Sequence, residues 1–129
     1  MSAPIVFFDI AGPDLGKLNA FYAEVFDWPI APHPMFPEQS SSVGPVPVIS
    51  PLPGALRQEQ PDHDPQFAKV IYLGVEDITA SLAKVGAAGG TVHQPRFEVP
   101  GVVVLGMFKD PAGNVMGLVE IKDGKPIVP

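Results

Sequence analysis

The chain has no cysteine and few cations: 8 Lys and Arg among 129 residues, against 14 Asp and Glu. Without a thiol there is no disulfide framework, thiolate zinc site, iron–sulfur cluster or cysteine nucleophile. The net charge of −6 repels phosphate backbones, so neither nucleic acid nor an anionic membrane surface is expected as a partner. No run of some 18 apolar residues is present to span a bilayer. The opening MSAPIVFFDIAG has no basic lead and puts Asp9 inside its apolar run. That argues against a secretory signal and makes the cytoplasm the expected compartment. Charged residues make up only 17% and hydrophobic ones 46%, a balance that favours a packed core over disorder. The length suits one domain able to bury that core without staples. What is abundant is proline. Ten of the 17 fall between Pro29 and Pro65, so the excess is local.

Two segments share one pattern. Ile5–Ala11 is a short apolar run ending at Gly12-Pro13, as in a largely buried strand. Asp14 offers an N-cap, and Leu15, Leu18, Phe21, Tyr22, Val25 and Phe26 follow at helical spacing. Pro29 requires the helix to end before it. The pattern returns 63 residues later, taking Asp77 over Asp14. Val70–Val75 predicts a strand, Asp77 a cap, and Ile78, Leu82 and Val85 one helical face, with Gly86, Gly89 and Gly90 as stops. Strands are then expected at Gly90–Gln94, Val102–Phe108 and Val115–Ile121. The last two are joined by a Lys109-Asp-Pro-Ala-Gly-Asn114 turn in which Gly113 takes positive φ.

An internal duplication accounts for this order and predicts two βαβββ modules. The first spans about residues 4–52 and the second about 67–122, joined by a connection at about 53–66. In the first module the strands must lie in Trp28–His33 and about Ser42–Ser50, confined to edges by their prolines. Pro51–Pro65 reads as linker, and Asp123–Pro129 as an extension with little structure of its own.

The stretches FFDIAGPDLGKLNAFYAEVFDW, VIYLGVEDITASLAKVGAAGGTV and FKDPAGNVMGLVE resemble the vicinal oxygen chelate superfamily of glyoxalase I, bleomycin-resistance proteins and extradiol dioxygenases. The more specific pieces are D-x-x-K-x-x-A-F-Y-x-x-V-F-x-W from Asp14 to Trp28 and D-P-x-G-N from Asp110. The resemblance implies an α+β fold, with paired modules curling an open mixed sheet around a cavity, and a homodimer. It also implies a divalent ion held by His, Gln or Glu on four strands. Its positions fall on Phe7, Val70 and Gly117, with a fourth in the first module's last strand, placed at Ser42–Ser50. None of these offers a suitable donor, and alternation turns Glu120 to the other side of its strand. No cofactor is therefore expected. Gly117 is expected to leave space where a metal would otherwise stand.

The remaining candidates are few. Asp9 shares the side of its strand with Phe7 and could serve as a general base or anchor a cationic ligand. Tyr72 aligns with Asp9 across the repeat and could orient a ligand or donate to an oxyanion. Both could equally be structural, Asp9 bonded to backbone or to Tyr72, and Tyr72 in the core. His93 and Arg96 flank Pro95 in what reads as a solvated loop, although an imidazole and a guanidinium there could act on a carboxylate. His33 and the D-H-D of residues 62–64 suggest surface metal contacts at most. Trp28, Phe108 and Met116 could line a pocket but are core residues by default.

The expected function is binding of a small organic molecule in an apolar cavity lined by Phe7, Asp9, Val70, Tyr72, Met107 and Gly117. Two alternatives stand beside it. One is a metal-dependent lyase, isomerase or dioxygenase with atypical ligands such as Asp9, His93 and Glu120. The other is sequestration of a cationic drug by an acidic dimer.

Overall fold

A computed structural model describes residues 2–44, 52–62 and 64–129. The chain divides into two compact units, Phe7–Val70 and the remainder, Met1–Val6 with Ile71–Pro129. Both are α+β, and both have the order βαβββ.

In the N-terminal unit β1 (Ile5–Gly12) leads into α1 (Leu15–Phe26), followed by β2 (Ile30–Pro32), β3 (Ser40–Val43) and β4 (Gly54–Gln58). β1 enters this unit at Phe7. The strands lie in the order β2-β3-β4-β1, antiparallel except for the parallel β4–β1 pair that α1 crosses over. Asp14 caps α1 by accepting from the Lys17 N–H at 3.1 Å. The helix stops at Asp27, whose φ of 55° is left-handed, one residue short of Trp28-Pro29. Leu15, Val43 and Leu56 form the core between helix and sheet, flanked by Phe8, Ile10, Leu18, Tyr22, Trp28 and Ile30. The helical stripe of the sequence is only partly core, because Phe21, Val25 and Phe26 are more than half exposed.

The second unit repeats the plan with β5 (Lys69–Val75), α2 (Ile78–Ala87), β6 (Thr91–Val99), β7 (Val103–Lys109) and β8 (Val115–Lys122). Ile71 onward on β5 belongs to it. Here the order is β5-β8-β7-β6, again with one parallel pair, β5–β8, crossed by the helix. Asp77 caps α2 through the Ala80 N–H at 2.9 Å, and Gly89 with φ of 95° follows its end. The core gathers Ile78, Leu82, Val104 and Leu118. Gly106 permits this packing, since a Cβ there would come within 2.6 Å of Ile78 Cγ2. The turn after β7 forms as its sequence predicts. Asp110 Oδ1 accepts from the Ala112 and Asn114 N–H groups, and Gly113 has φ of 88°. These bonds, led by the one from the Asn114 side chain, hold the Asp110 carboxyl below its usual range.

Four expectations are corrected. The stretch read as linker contains β4, the last strand of the first module. Its helix-facing positions are Gly54, Leu56 and Gln58, so a single apolar residue carried the signal. The strand placed at Ser42–Ser50 is β3, beginning at Ser40 and ending at Val43; residues 45–50 lie outside the described residues. β6 runs on to Val99, so His93 and Arg96 sit on a strand and not in a loop. Register shifts at Val92/Gln94 and Gln94/Phe97 absorb His93 and the Pro95-Arg96 pair as bulges, which is how a proline is tolerated there. The tail, finally, is tied down. β9 (Lys125–Pro126) pairs with β8, the Ile127 N–H bonds to the Glu120 carbonyl, and Ile127 packs on the core.

Candidate functional site

Each module has one sheet face under its helix and one free of it, and strand alternation assigns every candidate to a face. In the N-terminal unit Phe8, Ile10 and Leu56 lie under α1, so Phe7, Asp9, Ala55 and Arg57 take the opposite face. In the C-terminal unit Leu73, Val75 and Leu118 lie under α2, so Tyr72, Met107 and Gly117 take the opposite face.

Two polar side chains on the closing strands, the half-buried Gln58 and the buried Glu120, explain the helix positions. Gln58 on β4 accepts from the Leu15 N–H through Oε1 at 2.9 Å, the first N–H of α1. Glu120 on β8 accepts from the Ile78 N–H through Oε2 at 3.1 Å, the first N–H of α2. Each last strand thus supplies an acceptor to its own module's helix N-terminus, where four donors lack intrahelical partners. Glu120 is further gripped by Arg96, whose Nε lies 3.0 Å from Oε2 and Nη2 2.9 Å from Oε1. These hydrogen bonds and the Ile78 N–H hold its carboxyl below the usual range against the opposing cost of burial. The Arg96 guanidinium is correspondingly raised. Arg96 and Glu120 are therefore partners in a structural pair, and neither the loop reading of Arg96 nor the ligand set Asp9, His93 and Glu120 fits this arrangement.

The repeat now locates the equivalent positions strand by strand. Gly117 lies three residues before Glu120, and the residue three before Gln58 is Ala55. Ala55 is opposite Asp9 in the register, as Gly117 is opposite Tyr72. The four positions at which the resemblance calls for a metal ligand are therefore Phe7, Ala55, Val70 and Gly117. None carries a lone pair that a divalent ion would take, so the residues present do not fit such an ion. Among the described residues no three His, Asp or Glu side chains gather where they could share one.

The space expected at Gly117 is occupied. Tyr72, Gly117 and Met107 stand in one cross-strand row, and a Cβ on Gly117 would overlap the Tyr72 ring. Tyr72 and Met107 are both buried at 8% exposure. The glycine is there so that the ring can lie against the backbone, a close approach only glycine permits.

Asp9 is 5% exposed, yet it is not a lone carboxylate on an apolar wall. Oδ1 accepts from Arg57 Nη2 at 3.2 Å, and the same Nη2 donates to the Phe67 carbonyl at 2.7 Å. Arg57 was not a candidate from the sequence, where it lies alone in the proline-rich stretch. Its one signal was an arginine beside Leu56, the one large apolar residue of β4. Other candidates go elsewhere. Trp28 stacks on Tyr22 at 4.5 Å in the core under α1, and Phe108 packs under α2. His33 accepts from the Met35 and Phe36 N–H groups through Nδ1, closing a local turn. His63 of the D-H-D run lies outside the described residues.

The profile of the glyoxalase-like domain matches residues 5–119. Solved structures share the fold at low identity. A hypothetical protein from Bacillus halodurans is 14% identical with a TM-score of 0.71, covering 95% of this chain and 97% of that one. A glyoxalase/bleomycin resistance protein/dioxygenase superfamily member from Vibrio splendidus is 12% identical with a TM-score of 0.63, covering 93% and 100%. Methylmalonyl-CoA epimerase from Mycobacterium tuberculosis is 16% identical with a TM-score of 0.67, covering 92% and 87%. A search of curated proteins finds no match. No helix among the described residues is long and apolar enough to cross a membrane.

Proposed function

Because the chain belongs to the glyoxalase-like domain family, we propose that it binds a small organic molecule without a divalent ion. Asp9 and Tyr72 are the polar groups of the reading, and Phe7, Val70, Met107 and Gly117 its apolar contacts. One observation carries it: the positions equivalent by repeat and register hold Phe7, Ala55, Val70 and Gly117, a set with no metal donor. Chemistry that polarises vicinal oxygens on a metal needs lone pairs converging from several strands. Here the same positions supply hydrocarbon and a glycine under an aromatic ring, groups that suit apolar contact and not the coordination of an ion.

Thermal shift of chelator-treated protein against neutral, anionic and cationic small molecules tests the proposal. A ligand at a hundredfold excess over its Kd stabilises by about 2.7 kcal/mol, which is readily seen in Tm. The expected result is a class of compounds that raises Tm equally with and without added Mn²⁺, Ni²⁺ or Zn²⁺, with the shift reduced in Tyr72→Phe. Stabilisation that appears only when metal is added would overturn it.

A further inference from the structure

We infer that Arg57 is the ligand-facing polar group of the N-terminal unit and selects an anionic, carboxylate-bearing molecule. The inference deepens the proposed small-molecule function and rests on it. Asp9, the acid that sequence alone marks as an anchor for a cation, is buried, and Arg57 stands against its Oδ1. A cation approaching this face therefore meets the guanidinium and not the carboxylate. Arg57 itself is 30% exposed, against 7% for the Asp9 side chain.

The hydrogen-bond geometry gives the guanidinium a fixed direction. Nη2 is committed to Asp9 and to the Phe67 carbonyl, two acceptors that come from β1 and from the turn at Pro65–Phe67. Nε and Nη1 make no hydrogen bond to another described residue, so their N–H groups are the donors left over. Alternation keeps them off the helix side, because the neighbouring Leu56 is in the core and Gln58 caps α1. On the adjacent strand Ser40 is directly opposite Arg57 and Ser42 is opposite Ala55, which puts two hydroxyls on the same face. An immobilised guanidinium flanked by hydroxyls and small side chains suits a carboxylate, since charge-assisted hydrogen bonds are strong and the ordering cost of the arginine has been met in advance. Asp9 then acts through Arg57, as a positioning residue.

The test uses a fragment set in which each aromatic or branched aliphatic carboxylic acid is matched by its primary amide and its amine. Binding is measured by calorimetry, and the Arg57 Nε–H resonance is followed in a ¹⁵N-labelled sample. The expected result is acids binding about tenfold or more tighter than their amides, with the Arg57 resonance moving on acid binding. Arg57→Gln should abolish the preference and Arg57→Lys retain part of it. Because Arg57→Gln strands a buried carboxylate, the double variant Asp9→Asn/Arg57→Gln, which removes both charges, gives the same reading in a fold without that penalty. Amides or amines binding as tightly as acids, or a preference that survives in the double variant, would overturn the inference and leave the small-molecule reading standing. Failure of every acid, amide and amine to bind would instead overturn the reading beneath it.

Discussion

Replacing Glu120 with alanine is expected to lower stability by about 2–3 kcal/mol, even though the residue lies in no proposed site. The side chain is 10% exposed and binds Arg96 through both oxygens while accepting from the first N–H of α2. Among the described residues its loss leaves that N–H unpaired and Arg96 with only the weaker Glu98 contact at 3.6 Å. Breaking a fully buried pair costs about 3–5 kcal/mol, and the solvent exposure of Arg96 reduces this. The pH dependence follows from the lowered carboxyl of Glu120 in the folded state. Between the folded and unfolded titrations the unfolded chain binds more protons, so the contribution is fully present above the ordinary carboxylate range. It is lost as pH falls through the folded value. Denaturant titrations of wild type and Glu120→Gln should therefore differ at pH 7 and converge in acid. A gap that does not narrow at all as the pH is lowered would show that the carboxylate charge is not what stabilises the helix end.

Gly117→Ala is the second substitution with a large expected effect. A methyl at this position overlaps the Tyr72 ring, and the backbone on either side is pinned between β5 and β7. Overpacking of this kind costs about 1–3 kcal/mol, more than the entropic gain of about 0.5–1 kcal/mol from removing a strand glycine. In a Tyr72→Ala background the same substitution should be nearly neutral or favourable, so a double-mutant cycle isolates the ring contact as a coupling of opposite sign. Chemical denaturation of the four proteins reads it directly. Additive effects would mean that the ring does not hold the space over Gly117. The residue matters because the resemblance expects a carboxylate at this position, and the packing shows why one could not simply be restored. Gly117→Glu would have to displace Tyr72 first.

The second module was legible in the sequence because its signals are redundant. Val70–Val75 is a continuous apolar run, Asp77 caps a helix whose Ile78 and Leu82 are buried, and D-P-x-G-N closes a hydrogen-bonded turn. The first module has its helix and first strand for the same reasons. β4 escaped because its inner face is Gly54, Leu56 and Gln58. A glycine that makes room for the Phe8 ring and a glutamine that caps α1 do not register as hydrophobic periodicity. The error moved the fourth ligand position from Ala55 to a stretch around Ser42–Ser50, yet neither place has a donor for a metal. Arg57 was missed because its importance depends on a partner 48 residues away, and no local pattern encodes a long-range ion pair. Parity, by contrast, did transfer. It placed Glu120 on the side opposite Gly117, and Glu120 bonds to α2, whereas Gly117 meets Tyr72 on the opposite face.

The account stands on a glyoxalase-like fold whose equivalent positions are Phe7, Ala55, Val70 and Gly117. Its most direct test is calorimetric titration of chelator-stripped protein with Mn²⁺, Co²⁺, Ni²⁺ and Zn²⁺, paired with metal analysis of the protein as purified. The account predicts less than stoichiometric metal on purification and no saturable binding at micromolar ion, with any weak heats unchanged in Asp9→Asn. One ion per chain, bound tightly and displaced when Asp9 or Tyr72 is replaced, would contradict it.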